Sequence, residues 1–452
     1  MNELMVSISG VRGIVGRGLT PFEVVKFVSA FAKFCGRGKM MLGRDTRIHS
    51  EFISQIASGT LLAMGCDVVD IGVCPTPTLQ LAVEHSDAIG GIMITASHNP
   101  AQWNGLKFIS EEGIFLTPEQ HKKFLEIVAQ NSFEFSDWNS LGRYKQDKGF
   151  IDKHIEMVMG IDFIDVEKIK ARKFKVVVDC INGAGSEIVP KLLEKFGCEV
   201  IKLNCDGSGI FVHEPEPLPE NLSQLCEFVK KSGADLGIAV DPDADRLVLV
   251  DENGEPFGEE YTIVQAVKIV LEKKNLNEKN IVVNLSTTRA VDEVARIYNA
   301  KVYRSPVGEI NVVKKMKEVK AIIGGEGSGG VILPDVHYGR DSLVGIALIL
   351  QNLVEFGGKI SEFKKTLPSF EIFKTKFEIS NLNPDELLEK AKQIFKDADI
   401  NTDDGVRIDL EDGWLHIRKS NTEPILRIIA EARTKEKARQ LAFELETKLG
   451  LK

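Results

Sequence analysis

Four short stretches of this 452-residue chain hold side chains whose types and spacing could do chemistry. In Gly90–Lys107, GGIMITASHNPAQWNGLK, a small apolar run ends in Thr95-Ala96-Ser97-His98-Asn99-Pro100, residues that make turns. Pro100 lacks a backbone donor and biases Asn99 towards an extended conformation, so a regular strand cannot run on. That leaves the Ser97 hydroxyl on a tight loop at a strand end, beside His98 and upstream of Lys107, where an exposed nucleophile would be placed. A turn merely capped by Ser97 and Asn99 would use the same residues.

The second stretch, Asp241-Pro242-Asp243-Ala244-Asp245, puts carboxylates at alternate positions, which turns them to one side of an extended or turning segment. Three carboxylates so close repel one another without a cation, and an all-oxygen set beside a phosphate suits Mg²⁺. A calcium loop of the EF-hand type starts similarly, but Arg246 stands where glycine is needed and Leu247-Val248-Leu249-Val250 reads as strand. A phosphatase of the haloacid-dehalogenase type would use Asp241 as the nucleophile of D-x-D-x-[T/V], yet Asp245 occupies the Thr/Val place. A solvated acidic turn is the plain alternative.

The third stretch, Gly325-Glu326-Gly327-Ser328-Gly329-Gly330, matches G-x-G-x-x-G literally. A dinucleotide site needs a helix to follow, and here Val331-Ile332-Leu333-Pro334 is extended and stopped by proline, so that reading is rejected. Such a loop lets Glu326 and Ser328 reach sugar hydroxyls, unless it is an ordinary flexible turn. The fourth, Arg418-Lys419-Ser420-Asn421-Thr422-Glu423-Pro424, supplies a guanidinium fork and several hydroxyl, amide and loop N–H donors, the inventory a phosphate dianion requires. Arg427 adds charge or pairs with an acidic neighbour. An ordinary polar turn with an exposed arginine would read the same way.

The elements that must position these stretches follow a β-loop-α rhythm, which implies sheets with mostly parallel strands and functional loops at their C-terminal ends. Residues 1–150 form one α/β unit whose loops carry Arg12, Arg44 with Arg47, and Ser97. Thr20-Pro21-Phe22-Glu23 reads as a helix start, with a Thr cap and Glu three residues on. Residues 151–255 form a second unit holding the acidic loop, and 256–366 a third holding the glycine-rich loop. After Leu367-Pro368 the pattern changes, so 367–452 reads as a smaller α+β domain. The expectation is three similar α/β domains with mixed, mostly parallel sheets, plus this C-terminal domain, around a central cleft. In the second unit, Gly183-Ala184-Gly185 opens a helix without any charged partner and reads as close strand–helix packing.

Composition sets the class. With 43% hydrophobic and 27% charged residues the chain is ordinary for a globular protein. No apolar run approaches the ~18 residues of a membrane span. The start, MNELMVSISGVRG, lacks a basic-then-apolar leader, so the expected location is the cytoplasm. Seven cysteines without a C-x-x-C pair read as reduced, mainly buried thiols. A net charge of −9 argues against nucleic acid as partner, so an anionic ligand must be met by a few concentrated arginines and lysines. The sequence is compatible with an oligomer.

Together the TASHNP loop, the N-G-x-K after it, D-P-D-A-D-R, G-E-x-S-G and R-x-S-N-T-E-P resemble the α-D-phosphohexomutase family, in order and over essentially the whole chain. The resemblance implies four domains, each giving one loop to a central cleft. It implies that Ser97 carries a phosphoryl group, and that Asp241, Asp243 and Asp245 with an oxygen of phospho-Ser97 hold one Mg²⁺ per site. Lys107 matches the family's general acid/base, and Arg12 and Arg246 match basic residues near the phosphoserine; His98, the neighbour of Ser97, is then read as positioning and not as the base. Glu326 and Ser328 match sugar-hydroxyl contacts, and Arg418, Ser420, Asn421 and Thr422 match the clamp for the distal phosphate, with Arg427 nearby. The implied activity interconverts hexose 1-phosphate and 6-phosphate through a bisphosphorylated sugar, so hexose phosphate and hexose bisphosphate are the expected ligands. Departures bear on the sugar. Gly330 stands where glucose/mannose-type and many glucosamine-type mutases have His, and Pro306-Val307-Gly308-Glu309 looks like the glucosamine-type specificity loop. Ser420-Asn421-Thr422 looks like the mannose/glucose type, and Asn284-Leu285-Ser286 lacks the lysine that type carries nearby. The reading leans to glucosamine phosphate, with mannose or glucose phosphate, or a Mg²⁺-dependent sugar-phosphate phosphatase, as alternatives. A binding protein without activity would have lost Ser97, Lys107 or an Asp of the acidic loop, and all are present.

Overall fold

The computed structural model describes residues 4–378, 383–419 and 425–451. The first sheet is built from β1 (Leu4–Ser7), β2 (Gly10–Ile14), β3 (Lys39–Arg44), β4 (Asp67–Val73), β5 (Ala88–Ile94), β6 (Trp103–Ser110) and β7 (Tyr144–Gln146), in the order β1-β2-β6-β5-β3-β4-β7. β5, β3, β4 and β7 run parallel, as β-loop-α units require, while β1, β2 and β6 add an antiparallel flank. β6 carries Lys107 directly opposite Met93 of β5. The Thr20 cap forms as expected, its Oγ1 accepting from the Glu23 N–H at 3.4 Å.

The second sheet holds β8 (Lys175–Asp179), β9 (Glu199–Leu203), β10 (Leu236–Val240) and β11 (Leu247–Asp251), in the order β11-β10-β8-β9. The third holds β12 (Asn280–Asn284), β13 (Lys301–Ser305), β14 (Ile323–Glu326) and β15 (Gly330–Ile332), in the order β13-β12-β14-β15. Each has parallel strands and one antiparallel hairpin, β10–β11 and β14–β15, and those hairpins turn through the acidic loop and the glycine-rich loop. The segment after the glycine-rich loop is the strand β15 and not a helix, as its sequence indicates.

The last sheet is wholly antiparallel: β16 (Glu371–Glu378), β17 (Asp399–Asn401), β18 (Val406–Leu410), β19 (Gly413–Lys419) and β20 (Ile425–Ala432), in the order β16-β20-β19-β18-β17. The helices Pro384–Ile394 and Lys435–Leu449 cover it.

The first three units share one continuous apolar core. Helix Ser342–Phe356 lies inside it, buried from Ser342 through Leu353, and that stretch carries no amphipathic stripe because it has no solvent face. The loops are tied directly to one another across the units. Thr76 donates from its backbone N–H to Asp243 O at 3.0 Å, Leu247 N–H to Gly329 O at 2.9 Å, and Ser342 Oγ to Ala244 O at 2.7 Å. The last domain is held on the third by Arg289, whose Nη2 donates to Asp409 Oδ1 at 3.1 Å and to Gly413 O at 2.8 Å. Among the described residues no helix is long and apolar enough to cross a membrane.

Candidate active site

Ser97 follows β5 on a residue with φ +50°, the left-handed region that non-glycine residues adopt at a cost. The loop that imposes this is over-determined. Ser97 N–H donates to Thr95 Oγ1 at 2.9 Å, and Arg47 threads beneath the loop. The Arg47 guanidinium donates to the carbonyls of Ser97 (2.6 Å), Asn99 (2.6 Å), Pro100 (2.9 Å) and Trp103 (3.1 Å), while its Nε meets Asp45 Oδ2 at 3.1 Å. Arg47 is 2% exposed, so the loop expected to bring it to ligand instead turns it behind the serine as a clamp. The reason is local: a fork with five donors is the one side chain able to satisfy four adjacent loop carbonyls.

In front, Ser97 Oγ donates to Asp241 Oδ2 at 2.9 Å, and His98 Nδ1 lies 3.3 Å away. Asp241, Asp243 and Asp245 each offer an oxygen within 4.8 Å of the others, all three residues fully buried. The turn that gathers them passes through Ala244 at φ +50° and is closed by the Asp245 and Arg246 N–H groups on Asp241 Oδ1, both at 3.1 Å. Gly183 supports it from behind: a Cβ there would lie 2.7 Å from Pro242 O, and the Ala184 N–H donates to that same oxygen. Asp243 Oδ1 and Asp245 Oδ1 are buried with no hydrogen-bond partner. Buried, unsatisfied carboxylate oxygens facing one another are what a hard divalent cation fits.

Lys107 reaches the same carboxylates, with Nζ 2.5 Å from Asp243 Oδ2 and 3.3 Å from Asp245 Oδ2. Burial alone would lower its pKa, but the two carboxylates outweigh burial and raise it, so the ammonium is the resting form. Asp243 is held low: burial pushes its carboxyl up, and the Lys107 charge with hydrogen bonds from Lys107 and Thr76 overcomes that. Asp241 goes the other way, raised by burial and then by its two acidic neighbours. His98 is pushed well below its ordinary value by burial and then by Arg246 and Arg12. It is therefore neutral, and its 3.9 Å approach to Glu216 is a dipolar contact and not an ion pair. Arg12 donates to Asn99 Oδ1 at 2.9 Å, and Arg246 to Glu216 Oε1 at 3.3 Å.

These groups face a cleft of about 620 Å³ lined by Arg12, His98, Lys107, Arg246, Glu326, Ser328, Arg418 and Arg427 among others. Glu326 accepts from Asn284 Nδ2 at 2.8 Å and from the Gly308 N–H at 3.0 Å, which joins the glycine-rich loop to the loop Pro306–Glu309. Arg418 sits across the cleft, 3.3 Å from Asp404. Ser420, Asn421 and Thr422 lie outside the described residues. Sequence reading names Arg418 and Arg427 but not Lys376, nor that the three form a row: Lys376, Arg427 and Arg418 are direct cross-strand partners on β16, β20 and β19. Like charges placed opposite one another repel, and all three line the cleft, where they concentrate positive charge. Pairing register is invisible in a single strand, and only the alternation of Lys374 and Lys376 hinted at it. Arg340 was missed too, because nothing in His337-Tyr338-Gly339-Arg340 marks a cleft residue.

Glu260 lies under the glycine-rich loop, accepting from the Thr288 N–H at 3.0 Å, and its pKa is raised to about 8, chiefly by burial. A carboxyl raised on folding keeps its proton in the native state, so its contribution to stability is full at acid pH and is lost as pH rises towards 8. Glu260→Gln is expected to flatten the fall in thermal midpoint between pH 5 and pH 8.5. An unchanged slope would show that Glu260 ionises normally.

Four family models match in succession: phosphoglucomutase/phosphomannomutase α/β/α domain I over residues 5–135, domain II over 150–254, domain III over 258–370 and the C-terminal domain over 376–448. A Methanopyrus kandleri protein carrying a phosphoglucosamine mutase name is 37% identical over 439 residues, covering 96% of this chain and 95% of that protein. The phosphoglucomutase/phosphomannomutase of Thermococcus kodakarensis is 39% identical over 448 residues and 97% of each chain. Among solved structures, a phosphoglucomutase/phosphomannomutase family protein from Burkholderia thailandensis superposes with a TM-score of 0.85 at 26% identity over 98% of both chains. The family resemblance and the four-domain α/β fold expected from the motifs hold: the chain belongs to the phosphoglucomutase/phosphomannomutase family of phosphohexomutases, and is an isomerase.

Proposed function

We propose that this mutase interconverts the 1-phosphate and 6-phosphate of a hexose, leaning to glucosamine phosphate, through phospho-Ser97 and a bisphosphorylated sugar. The observation that carries the reading is the gathering of three buried carboxylates, with Ser97 Oγ bonded to Asp241 and Lys107 bonded to Asp243 and Asp245, in one cleft with a row of cations. Asp241, Asp243 and Asp245 would hold one Mg²⁺, which supplies charge neutralisation to the transferring phosphoryl group. Arg12 and Arg246 add positive charge beside Ser97, and neutral His98 positions its hydroxyl.

In each half-reaction the bond between phosphorus and Ser97 Oγ breaks as a sugar hydroxyl oxygen bonds to phosphorus. The hydroxyl proton ends on Ser97 Oγ, with Lys107 as the relay. The bisphosphate then turns end for end, and Ser97 takes back the other phosphoryl group. Lys376, Arg427 and Arg418 hold whichever phosphate is not reacting, since a row of cations on a sheet recognises charge and not the sugar face behind it. Glu326 and Ser328 take sugar hydroxyls. The lean to an amino sugar is supported by the loop Pro306–Glu309, which joins Glu326 through Gly308, and by the name of the Methanopyrus kandleri relative. We assign the enzyme to the cytoplasm.

The test is peptide mapping for phosphate on Ser97, followed by assays on the 1-phosphates of glucosamine, glucose and mannose. Phosphate found on Asp241, with release of inorganic phosphate and no isomer formed, would make the protein a phosphatase instead. Replacing Arg418 with Gln, or Lys376 with Met, should raise KM for every hexose phosphate by about ten-fold or more, each removing one charge-assisted contact. Unchanged KM in both variants would place the non-reacting phosphate elsewhere.

A further inference from the structure

Arg340 lies between the glycine-rich loop and helix Ser342–Phe356, and none of the four chemistry-bearing stretches contains it. Its guanidinium joins three carboxylates from three different elements. Nε donates to Glu309 Oε2 at 3.0 Å, Nη1 to Glu326 Oε2 at 2.7 Å, and Nη2 to Asp245 Oδ2 at 2.7 Å. It thereby spans the acidic loop, the glycine-rich loop and the Pro306–Glu309 loop, at the wall of the cleft. The neighbouring residue fixes its base: Asp341 caps helix Ser342–Phe356 through the Leu343 N–H and accepts from His154 Nε2 at 2.7 Å.

Two features go beyond charge balance. A guanidinium has five N–H donors, and these three bonds use three of them. The stem of Arg340 also passes through the space that a side chain at position 330 would fill. A Cβ on Gly330 would lie 2.4 Å from Arg340 Cδ and 3.0 Å from Cγ. With its head tied to three carboxylates, that stem cannot swing aside cheaply. Lys107 also meets Asp245, but Arg340 is the cation that spans from Asp245 to Glu326, between the place where the phosphoryl group would transfer and the place where the sugar ring would lie.

We propose that Arg340 contacts the reacting end of the sugar phosphate through its two remaining N–H groups, and that Gly330 lacks a side chain to leave room for it. The inference rests on the mutase reading above. It predicts that charge alone at position 340 is insufficient, because a lysine cannot bridge three carboxylates and still donate to ligand.

The test compares wild type with Arg340→Lys, Arg340→Gln, Gly330→Ala and the Gly330→Ala/Arg340→Gln pair. The readouts are steady-state kinetics on glucosamine 1-phosphate and glucose 1-phosphate, calorimetric binding of the same two sugars, thermal midpoint and Ser97 phosphate content. Arg340→Lys should lower kcat/KM by at least about ten-fold and weaken binding, with its midpoint and phosphate content near those of wild type. Gly330→Ala should lose a similar factor by displacing the guanidinium, and should add nothing on top of Arg340→Gln. If Arg340→Lys binds and turns over as wild type does, or if the Gly330→Ala and Arg340→Gln losses multiply, Arg340 is only a counter-charge and the inference fails. A wild type that isomerises none of the hexose phosphates sinks the mutase reading instead. The calorimetric comparison would still decide whether Arg340 touches sugar phosphate.

Discussion

Ser97→Ala is expected to lower mutase turnover by roughly four to six orders of magnitude, the scale seen when a nucleophile is removed from a preorganised site. The protein should fold, because only the Oγ bond to Asp241 at 2.9 Å and the 3.3 Å contact to His98 are lost, on the order of 1 kcal/mol. Ser97→Gly gives a second, independent form of the same result. At φ +50° glycine sits without strain, so this variant should be as inactive as Ser97→Ala and at least as stable. Stopped assays started with hexose bisphosphate, beside thermal midpoints, read both quantities. Turnover within ten-fold of wild type in either variant would show that the phosphoryl group does not pass through Ser97, whatever the geometry around it.

The second large effect lies behind the serine. Arg47→Met removes the cation of a buried pair with Asp45, leaves that carboxylate uncompensated, and strips donors from four loop carbonyls. Breaking such a pair costs about 3–5 kcal/mol. Activity should fall further than stability accounts for, because Ser97 then loses the clamp that holds its strained backbone. Adding Asp45→Asn to Arg47→Met separates the two effects. The double variant should recover part of the thermal midpoint, since no bare charge remains, but not the turnover. If turnover returns together with the midpoint, Arg47 matters only for folding and the loop positions itself.

Much of this protein was legible before folding was considered, and the legible parts share a property: their chemistry is local. Asp241, Asp243 and Asp245 are neighbours in sequence, and the turn through Ala244 is closed on Asp241 by the N–H groups of Asp245 and Arg246, all within six residues. Ser97 stands where a strand meets turn residues and proline, so its placement at a strand end follows from local stereochemistry. The Thr20 cap and the extended segment after the glycine-rich loop are local in the same sense.

Helix Ser342–Phe356 and strand β6 were not legible in that way. The helix is buried on every side from Ser342 through Leu353, which erased the apolar stripe that would have announced it. β6 interrupts its apolar residues with Asn104, Gly105 and Lys107, and the donors that make those polar side chains tolerable when buried, Asn104 Nδ2 and Lys107 Nζ, find their acceptors on other elements.

What the sequence by itself determined is the set of loops, their chemical character and their order along the chain, since each depends on residues a few positions apart. What only the tertiary structure decided is which distant groups meet. It turned Arg47 away from ligand to clamp the Ser97 loop, and it set Lys376, Arg427 and Arg418 side by side through strand register. It also threaded Arg340 across Gly330 to join three carboxylates. An arginine's role depends on which acceptors lie within the reach of its fork, and here those acceptors come from parts of the chain that only packing brings together.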